Sequence, residues 1–346
     1  MPSSRPQIER DSRVFTMGSC FANEIRSALR AEGMEVLPQL ETRISSEFVW
    51  YTPVSILQEL KLAFGIIKRD ERDLWDHGSK PERPARAKRW QDPYRRFVFA
   101  DTKPELLQLI AQHDRQIREG FEQAGEFLFT LGLIEAWRLP SGSWACLEPY
   151  PLSAEKASLH VLDFNECADA IREIVQILKQ RRAAASVTFT ISPVPLKRTY
   201  RAGIDVSVAN SESKSVLRAA LGQVCRECSQ VHYFPSYEVV TAIGSRAFKR
   251  DGRHVKPEVV SSILCSFLQQ RNKRLIFFSL RYAFVALLAV LLWQGLFVVS
   301  TRTFVSDELF RKEWMGLFWL VCLLISWEIS HLLITRKASV LRAIFK

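Results

Sequence analysis

The sequence predicts an α/β domain with a mostly parallel sheet, followed by a tail that anchors it to a membrane. Two observations predict the α/β class: short runs rich in β-branched and aromatic residues, and helical patterns between them. Strands that alternate with helices form a mostly parallel sheet with both faces covered. A third observation, two long apolar stretches, predicts a two-helix transmembrane hairpin. We therefore expect a domain over residues 1–265 and a membrane tail over residues 266–346.

Four short runs are the strand candidates of the predicted sheet. They are residues 12–18, 126–132, 186–192 and 231–237. A helix is predicted over residues 21–33, where apolar positions recur at helical spacing and a glycine closes the pattern. Residues 168–182 have the amphipathic pattern of a second helix. Because active sites of such sheets lie beyond the carboxyl ends of the strands, chemistry is expected at the turns after residues 18, 132 and 192.

The two apolar stretches predict transmembrane helices near residues 275–300 and 314–335. A bilayer core needs about 20 apolar residues per helix, and both stretches supply them. Basic residues precede the first stretch and follow the second, so the positive-inside rule places the N-terminal domain and the carboxyl terminus in the cytoplasm. The expected location is the inner (cytoplasmic) membrane, crossed twice, with the lipid bilayer as a partner. Glu328 and His331 are interpreted as interfacial or helix-contact residues.

Composition excludes several classes of protein. With 47% hydrophobic and 25% charged residues, the chain is neither disordered nor collagen-like. Its seven scattered cysteines do not suit a small disulfide scaffold and indicate a reducing compartment. No apolar run precedes Val14, so no secretory signal is expected. We interpret the basic segment 70–96 as a solvated loop near anionic lipid, and we expect no sequence-specific nucleic acid as a partner.

A candidate nucleophile stands in the turn after the first predicted strand, at Gly18-Ser19-Cys20. A side chain there faces the carboxyl edge of the sheet, and free N–H groups at the start of the helix can stabilise an oxyanion. Far downstream, Asp251 lies three residues before His254. That spacing lets a carboxylate orient an imidazole whose other nitrogen acts as a general base. Together these residues predict a site for acyl transfer or ester hydrolysis.

Several blocks of sequence carry a family resemblance. They are FTMGSCFANEI (15–25), TLGLIEAW (130–137), TFTISPVPLKRT (188–199), VANSESKSVLRAA (208–220), YFPSYEVV (233–240) and DGRHVKPEVV (251–260). In this order they resemble the GSCFA family, a branch of the SGNH (GDSL-like) hydrolase superfamily. The resemblance spans roughly residues 10–262 and does not reach the tail. It implies a three-layer α/β/α fold with an esterase-like or acyltransferase-like site.

The position of the nucleophile departs from the superfamily pattern. GDSL-type enzymes have their serine two residues after the glycine, where this chain has Cys20, and Ser19 stands in the position of their aspartate. Register favours Cys20, and a thiolate paired with His254 is a competent nucleophile. A helix N-terminus is expected to give this thiol an acidic pKa. Ser19 remains the alternative.

The oxyanion site departs from the superfamily pattern as well. The superfamily takes an asparagine from a Gly-x-Asn-Asp block, and this chain has Ile134 in that place. Backbone groups near Gly132, or the side chain of Asn210, are the expected substitutes. Lys214 is expected to bind an anionic group of the substrate, and Glu238 to orient the site.

No cofactor or metal is expected. The sequence contains no Gly-rich phosphate loop or dinucleotide fingerprint, and the Cys225/Cys228 pair has no second ligand pair. We expect a membrane-tethered esterase or acyltransferase that acts on an acylated cell-envelope glycan or lipid-linked sugar precursor. Envelope-biosynthesis proteins are among the expected partners. The alternative is a catalytically inactive SGNH-like domain that binds glycans or proteins as an assembly factor, which the missing asparagine favours.

Overall fold

The computed structural model describes residue 8 and residues 11–39, 49–78, 88–96, 98–149 and 153–268. The described strands are Val14–Gly18 (β1), Val36–Leu37 (β2), Trp75–Asp76 (β3), Trp90–Gln91 (β4), Phe99–Ala100 (β5), Glu126–Leu131 (β6), Glu135–Arg138 (β7), Trp144–Ala145 (β8), Ser158–Val161 (β9), Ser186–Ile191 (β10) and Val231–Phe234 (β11). The described helices are Cys20–Ala31 (α1), Pro53–Ala63 (α2), Lys103–Gln123 (α3), Phe164–Arg181 (α4), Val206–Glu227 (α5), Ser236–Ile243 (α6) and Pro257–Cys265 (α7). The fold is therefore α/β.

Five parallel strands form the central sheet, in the order β11–β10–β6–β1–β2. Four of them are the strands that the sequence predicts, so those predictions are confirmed. The fifth, β2, is only two residues long and gives no periodic pattern. From β1 the chain adds β2 on one side and later adds β6, β10 and β11 on the other. The direction of winding therefore reverses between β1 and β6, and ligands of open α/β sheets bind at such switch points.

The two faces of the sheet differ in chemistry because side chains alternate along each strand. On one face Phe15, Phe127 and Phe129 pack into the main hydrophobic core, and the Phe127 and Phe129 rings stack with centroids 6.1 Å apart. Residues of α2, α3, α4 and α5 complete this core. The alternate positions include buried threonines, among them Thr190, whose hydroxyl lies 2.6 Å from Ser236 Oγ at the start of α6.

The second predicted helix is longer than its amphipathic pattern indicates. It begins at Phe164 because Asp163 caps it, accepting a hydrogen bond from the Glu166 N–H at 2.8 Å. Glu166 in turn accepts the Asp163 N–H at 2.9 Å, which completes a capping box. The first predicted helix is α1, and Gly33 follows it with φ +80°.

Two small antiparallel sheets are inserted between strands of the parallel sheet: β3–β4–β5 lies between β2 and β6 in the sequence, and β8–β7–β9 lies between β6 and β10. Their strands are two to four residues long, so no period is visible in the sequence. The solvated-loop interpretation of segment 70–96 is wrong at both of its described ends, since Leu74 and Trp75 near its start are also buried. Arg95 is 1% exposed and forms ion pairs with Glu59 and Asp114, because a buried guanidinium needs a carboxylate partner.

The chain divides into two units, residues 1–269 and residues 270–346. All described residues belong to the first unit. Both predicted transmembrane helices lie outside the described residues. Of the helices described, none has the length and apolar character that crossing a bilayer requires.

Candidate active site

A cavity of about 380 Å³ lies at the carboxyl ends of the parallel strands. Ser19 and Cys20 line it from the turn after β1, and Gly132 lines it from the turn after β6. Lys214 reaches it from α5, and His254 from the loop before α7. The structure thus brings together five of the residues that the sequence singles out, although more than 230 positions separate the two ends of the set.

The turn after β1 has a fixed shape because Gly18 has φ +143° and pairs with Thr130 of β6. Ser19 continues the turn with its N–H donating to the Thr130 carbonyl at 2.9 Å. Ser19 is 2% exposed, and its hydroxyl accepts the Phe21 N–H at 3.4 Å as the N-cap of α1. Cys20 is the first residue of the helix and is more exposed than Ser19.

The Asp251–His254 pair sits in a tight loop that a bridge between Phe248 and Val255 closes. Asp251 Oδ1 accepts the N–H groups of Arg253 and His254, each at 3.0 Å. Its other oxygen, Oδ2, is hydrogen-bonded to His254 Nδ1. This bond and the two backbone N–H groups hold the pKa of Asp251 well below its usual range. The carboxylate therefore fixes the ring as predicted, which leaves Nε2 as the nitrogen for proton transfer.

An ion pair joins this loop to the helix that begins at the nucleophile. Lys249 Nζ lies 3.1 Å from Glu24 Oε1 of α1. Helices α1 and α7, which begin on either side of the site, also pack against each other. These contacts fix the position of His254 relative to the turn at Ser19 and Cys20. The structure gives no hydrogen bond from the His254 ring to either side chain, and such bonds often form only in the substrate complex.

The Cys20 thiol is not acidic, which corrects the prediction from the helix N-terminus. Burial raises the pKa of Cys20, and the positive charges of Arg96, Arg253 and Lys214 offset this effect only in part. In the free protein the thiol is therefore mostly protonated at neutral pH. A nearby base such as His254 is needed to activate it.

The backbone near Gly132 is already hydrogen-bonded. The N–H groups of Gly132 and Leu133 both donate to the Tyr51 carbonyl, at 2.8 and 2.9 Å. Ile134 is 1% exposed and belongs to the main hydrophobic core, so it does not replace the missing asparagine. The Cys20 N–H lies beside the thiol in the first turn of α1, where the helix offers it no carbonyl partner.

Lys214 is a buried lysine in the wall of the cavity. It is 2% exposed, and its Nζ donates to the Gly132 carbonyl at 2.8 Å. Burial lowers the pKa of Lys214 to about 7, because the charged form loses hydration, while the nearby Cys20 raises it. One hydrogen bond uses only part of the donor capacity of an ammonium group, which has three N–H bonds.

Asn210 and Glu238 are not among the described residues that line the cavity. Asn210 accepts the Leu196 N–H at 3.1 Å and so supports the loop that follows β10. Glu238 accepts hydrogen bonds from the Tyr233 hydroxyl and lies 2.9 Å from Arg218 Nε. The Cys225/Cys228 pair lies at the end of α5 as free thiols. Within the described residues, no cluster of His, Cys, Asp or Glu is suited to hold a metal ion.

Sequence reasoning missed three residues that shape the cavity. Tyr51 supplies the carbonyl that fixes the Gly132 turn, and its hydroxyl accepts a hydrogen bond from Arg96 at 2.9 Å. Arg253 lies between Asp251 and His254, and it donates to the Pro195 carbonyl at 3.2 Å. Tyr51 stands outside every motif, so no local signal identifies it, whereas Arg96 ends the basic segment 70–96, whose charge was the available signal. Arg253 lies inside a recognised block, where its charge was the available signal.

The match to known families covers the same part of the chain. The model of the GSCFA family matches residues 13–267, which include the parallel sheet and every described residue that lines the cavity. The chain belongs to the GSCFA family. No curated protein matches the sequence.

Proposed function

We propose that this protein is a membrane-tethered SGNH-like enzyme, an esterase or an acyltransferase. One observation carries the proposal: Ser19, Cys20 and an Asp251-paired His254 line a single cavity at the switch point of a parallel sheet. A nucleophile, a base and a group that orients the base are the parts that acyl transfer requires. The placement in the SGNH superfamily, with three α/β/α layers, is part of the proposal. It is supported by α2–α5 packing on one core and α1 packing with α7.

The proposed reaction proceeds through an acyl-enzyme. His254 Nε2 takes the thiol proton of Cys20 as Sγ attacks the acyl carbon, and the Cys20 N–H stabilises the resulting oxyanion. The protonated imidazole, stabilised by Asp251, gives that proton to the leaving alkoxide as the C–O bond breaks. Water or an acceptor hydroxyl then loses its proton to His254 and attacks the thioester. The thiolate leaves, takes the proton back from the imidazole and restores the free enzyme.

The proposed substrate is an acylated cell-envelope glycan or a lipid-linked sugar precursor. The predicted hairpin at residues 275–335 supports this proposal, because a tether concentrates the domain beside substrates that are held in the membrane. We place the domain and the carboxyl terminus on the cytoplasmic side of the inner membrane, with the bilayer and envelope-biosynthesis proteins as partners.

Labelling of the full-length chain with activity-based probes tests the reaction class. A fluorophosphonate reports an activated serine, and an acyloxymethyl ketone reports an activated cysteine. We expect the acyloxymethyl ketone to label the wild type at Cys20 and to fail with His254→Ala, because the buried thiol needs its base. The variant His160→Ala is the matched control, since His160 pairs with Glu166 away from the cavity. A folded wild type that neither probe labels would contradict the enzyme proposal.

Reporter fusions test the proposed topology. A reporter placed after Lys346 is expected to lie in the cytoplasm, and one inserted within residues 302–312 is expected to lie on the opposite side. The reason is the basic flanks of the two apolar stretches, which resist translocation. An external signal from the reporter after Lys346 would overturn both the hairpin and the cytoplasmic placement of the domain.

A second candidate function is a catalytically inactive SGNH-like domain that binds glycans or proteins as an assembly factor. It is favoured by one observation: Tyr51 already accepts the N–H groups of Gly132 and Leu133, and Ile134 is buried in the core. Such a site lacks the donors that the superfamily places there. The inactive domain predicts a folded chain that neither probe labels, while the enzyme predicts labelling that depends on His254.

A further inference from the structure

Positive charge is in excess in the cavity of the candidate active site. Among the described lining residues, the cations are Arg96, Lys197, Arg198, Lys214 and Arg253, and the carboxylates are Glu135 and Glu148. Glu135 accepts the Thr199 hydroxyl at 2.6 Å and lies 3.4 Å from Arg201 Nε, which does not line the cavity. Among the described residues, neither carboxylate lies within 4.0 Å of Lys214 or Arg253. The carboxylates of the cavity therefore do not pair with these two cations.

Two enclosed arginines in another part of the described structure have carboxylate partners, whereas the buried Arg26 donates to the backbone carbonyls of Thr16 and Pro38. Arg95 pairs with Glu59 and Asp114, and Arg69 lies 2.7 Å from Asp92. This is the usual arrangement, because an unpaired buried charge loses its hydration without compensation.

Two cations of the cavity, the buried Lys214 and the half-buried Arg253, depart from this arrangement. Among the described residues neither has a carboxylate within 4.0 Å; Lys214 donates to the Gly132 carbonyl and Arg253 to the Pro195 carbonyl. The Arg253 Nε is buried and has no hydrogen-bond partner within the described residues. Both charges lower the pKa of the Cys20 thiol, but burial keeps that pKa above its ordinary value. An ammonium or guanidinium group without a carboxylate partner can bind an anion through charge-assisted hydrogen bonds.

We propose that Lys214 and Arg253 form a binding site for an anionic group of the substrate, a phosphate or a carboxylate carried close to the ester bond. That the substrate is an ester rests on the proposed function. That it carries an anionic group rests on the cavity alone. Arg253 adjoins His254 in the chain, and Lys214 holds the turn beside the nucleophile. An anion bound between them lies next to the reacting carbon. Lys197 and Arg198, which are exposed, attract it towards the cavity.

Calorimetry with the full-length chain in detergent micelles tests the site without requiring turnover. The probes are phenyl phosphate and benzoate, with benzyl alcohol as the neutral control. We expect saturable binding of at least one anion and none of the alcohol. Arg253→Gln is expected to weaken this binding about tenfold, the cost of one charge-assisted hydrogen bond. Arg253→Lys should retain part of it. The matched control Arg250→Gln, an exposed cation outside the cavity, should bind as the wild type does.

Ester hydrolysis separates the two proposals. Phenyl acetate, 4-acetoxybenzoate and 4-acetoxyphenyl phosphate carry the same acyl group, and we expect the wild type to prefer one of the anionic esters about tenfold in kcat/KM. The preferred anion identifies the substrate as a carboxylate-bearing or a phosphate-bearing ester. If turnover depends on His254 but shows no preference for an anionic ester, and no anion binds, the anion site is overturned and the enzyme proposal stands. Anion binding lost in Arg253→Gln, without turnover of any ester, retains the anion site and contradicts the enzyme. The absence of both overturns both.

Discussion

Replacing His254 with alanine is expected to lower kcat/KM for ester hydrolysis by about 10³-fold, with little change in stability. The loss is large because the Cys20 thiol is mostly protonated in the free protein, so the reaction depends on a base in the cavity. Cys20→Ala should cost about as much, since residues that act as one unit fail together and not additively. Asp251→Asn should lose less than either, because it retains the ring but not the charge that stabilises imidazolium. Steady-state kinetics of the purified full-length variants measure all three.

Ser19→Ala is the matched control for the choice of nucleophile. Ser19 caps α1, so its loss should destabilise the domain by about 1 kcal/mol while a substantial part of the activity remains. Urea unfolding of the same samples separates the loss of the cap from a loss of chemistry. An inactive Ser19→Ala together with a fully active Cys20→Ser would move the nucleophile to Ser19. Full function in all these variants would contradict acyl transfer altogether.

Replacing Gly18 with alanine is expected to prevent the domain from folding stably. An alanine Cβ at this position would lie 2.2 Å from the Thr130 carbonyl oxygen and 2.7 Å from the Thr130 nitrogen. Both atoms belong to the backbone of β6, so relief requires the two central strands to separate at the switch point. The backbone angle φ of +143° adds strain for any side chain. We expect a loss of about 3 kcal/mol or more in the free energy of unfolding, measured by urea denaturation.

Gly203→Ala separates the two causes of this loss. Gly203 also has a positive φ, +72°, but no atom beyond its own chain neighbours lies within 4 Å of the position that its Cβ would take. This variant should lose only the cost of the left-handed backbone, about 1 kcal/mol. Equal losses in the two variants would assign the effect to backbone strain. A wild-type urea midpoint for Gly18→Ala would contradict the close approach of β1 and β6.

The sequence predicted those parts of the candidate site whose geometry is local. Asp251 and His254 belong to one tight loop, so their spacing alone indicates that the carboxylate meets the imidazole. The strand-to-helix turn at Ser19 is equally local, because the cap and the start of α1 lie within three residues. The acidic thiol was predicted from the same turn and was wrong. Burial by distant parts of the chain raises the Cys20 pKa more than the nearby cations lower it.

By itself, the sequence determined the class of fold, the four long parallel strands and the family, because hydrophobic periodicity and motif spacing are properties of neighbouring residues. Only the tertiary structure decided the strand order, which places β1 beside β6 and brings Ser19, Lys214 and His254 to one cavity. It also decided which donors are already used: the Tyr51 carbonyl accepts the N–H groups of Gly132 and Leu133, and Lys214 Nζ donates to the Gly132 carbonyl. Hydrogen bonding and desolvation depend on which groups meet across long separations in the chain. A single sequence does not show which distant residues come into contact, whereas the folded domain does.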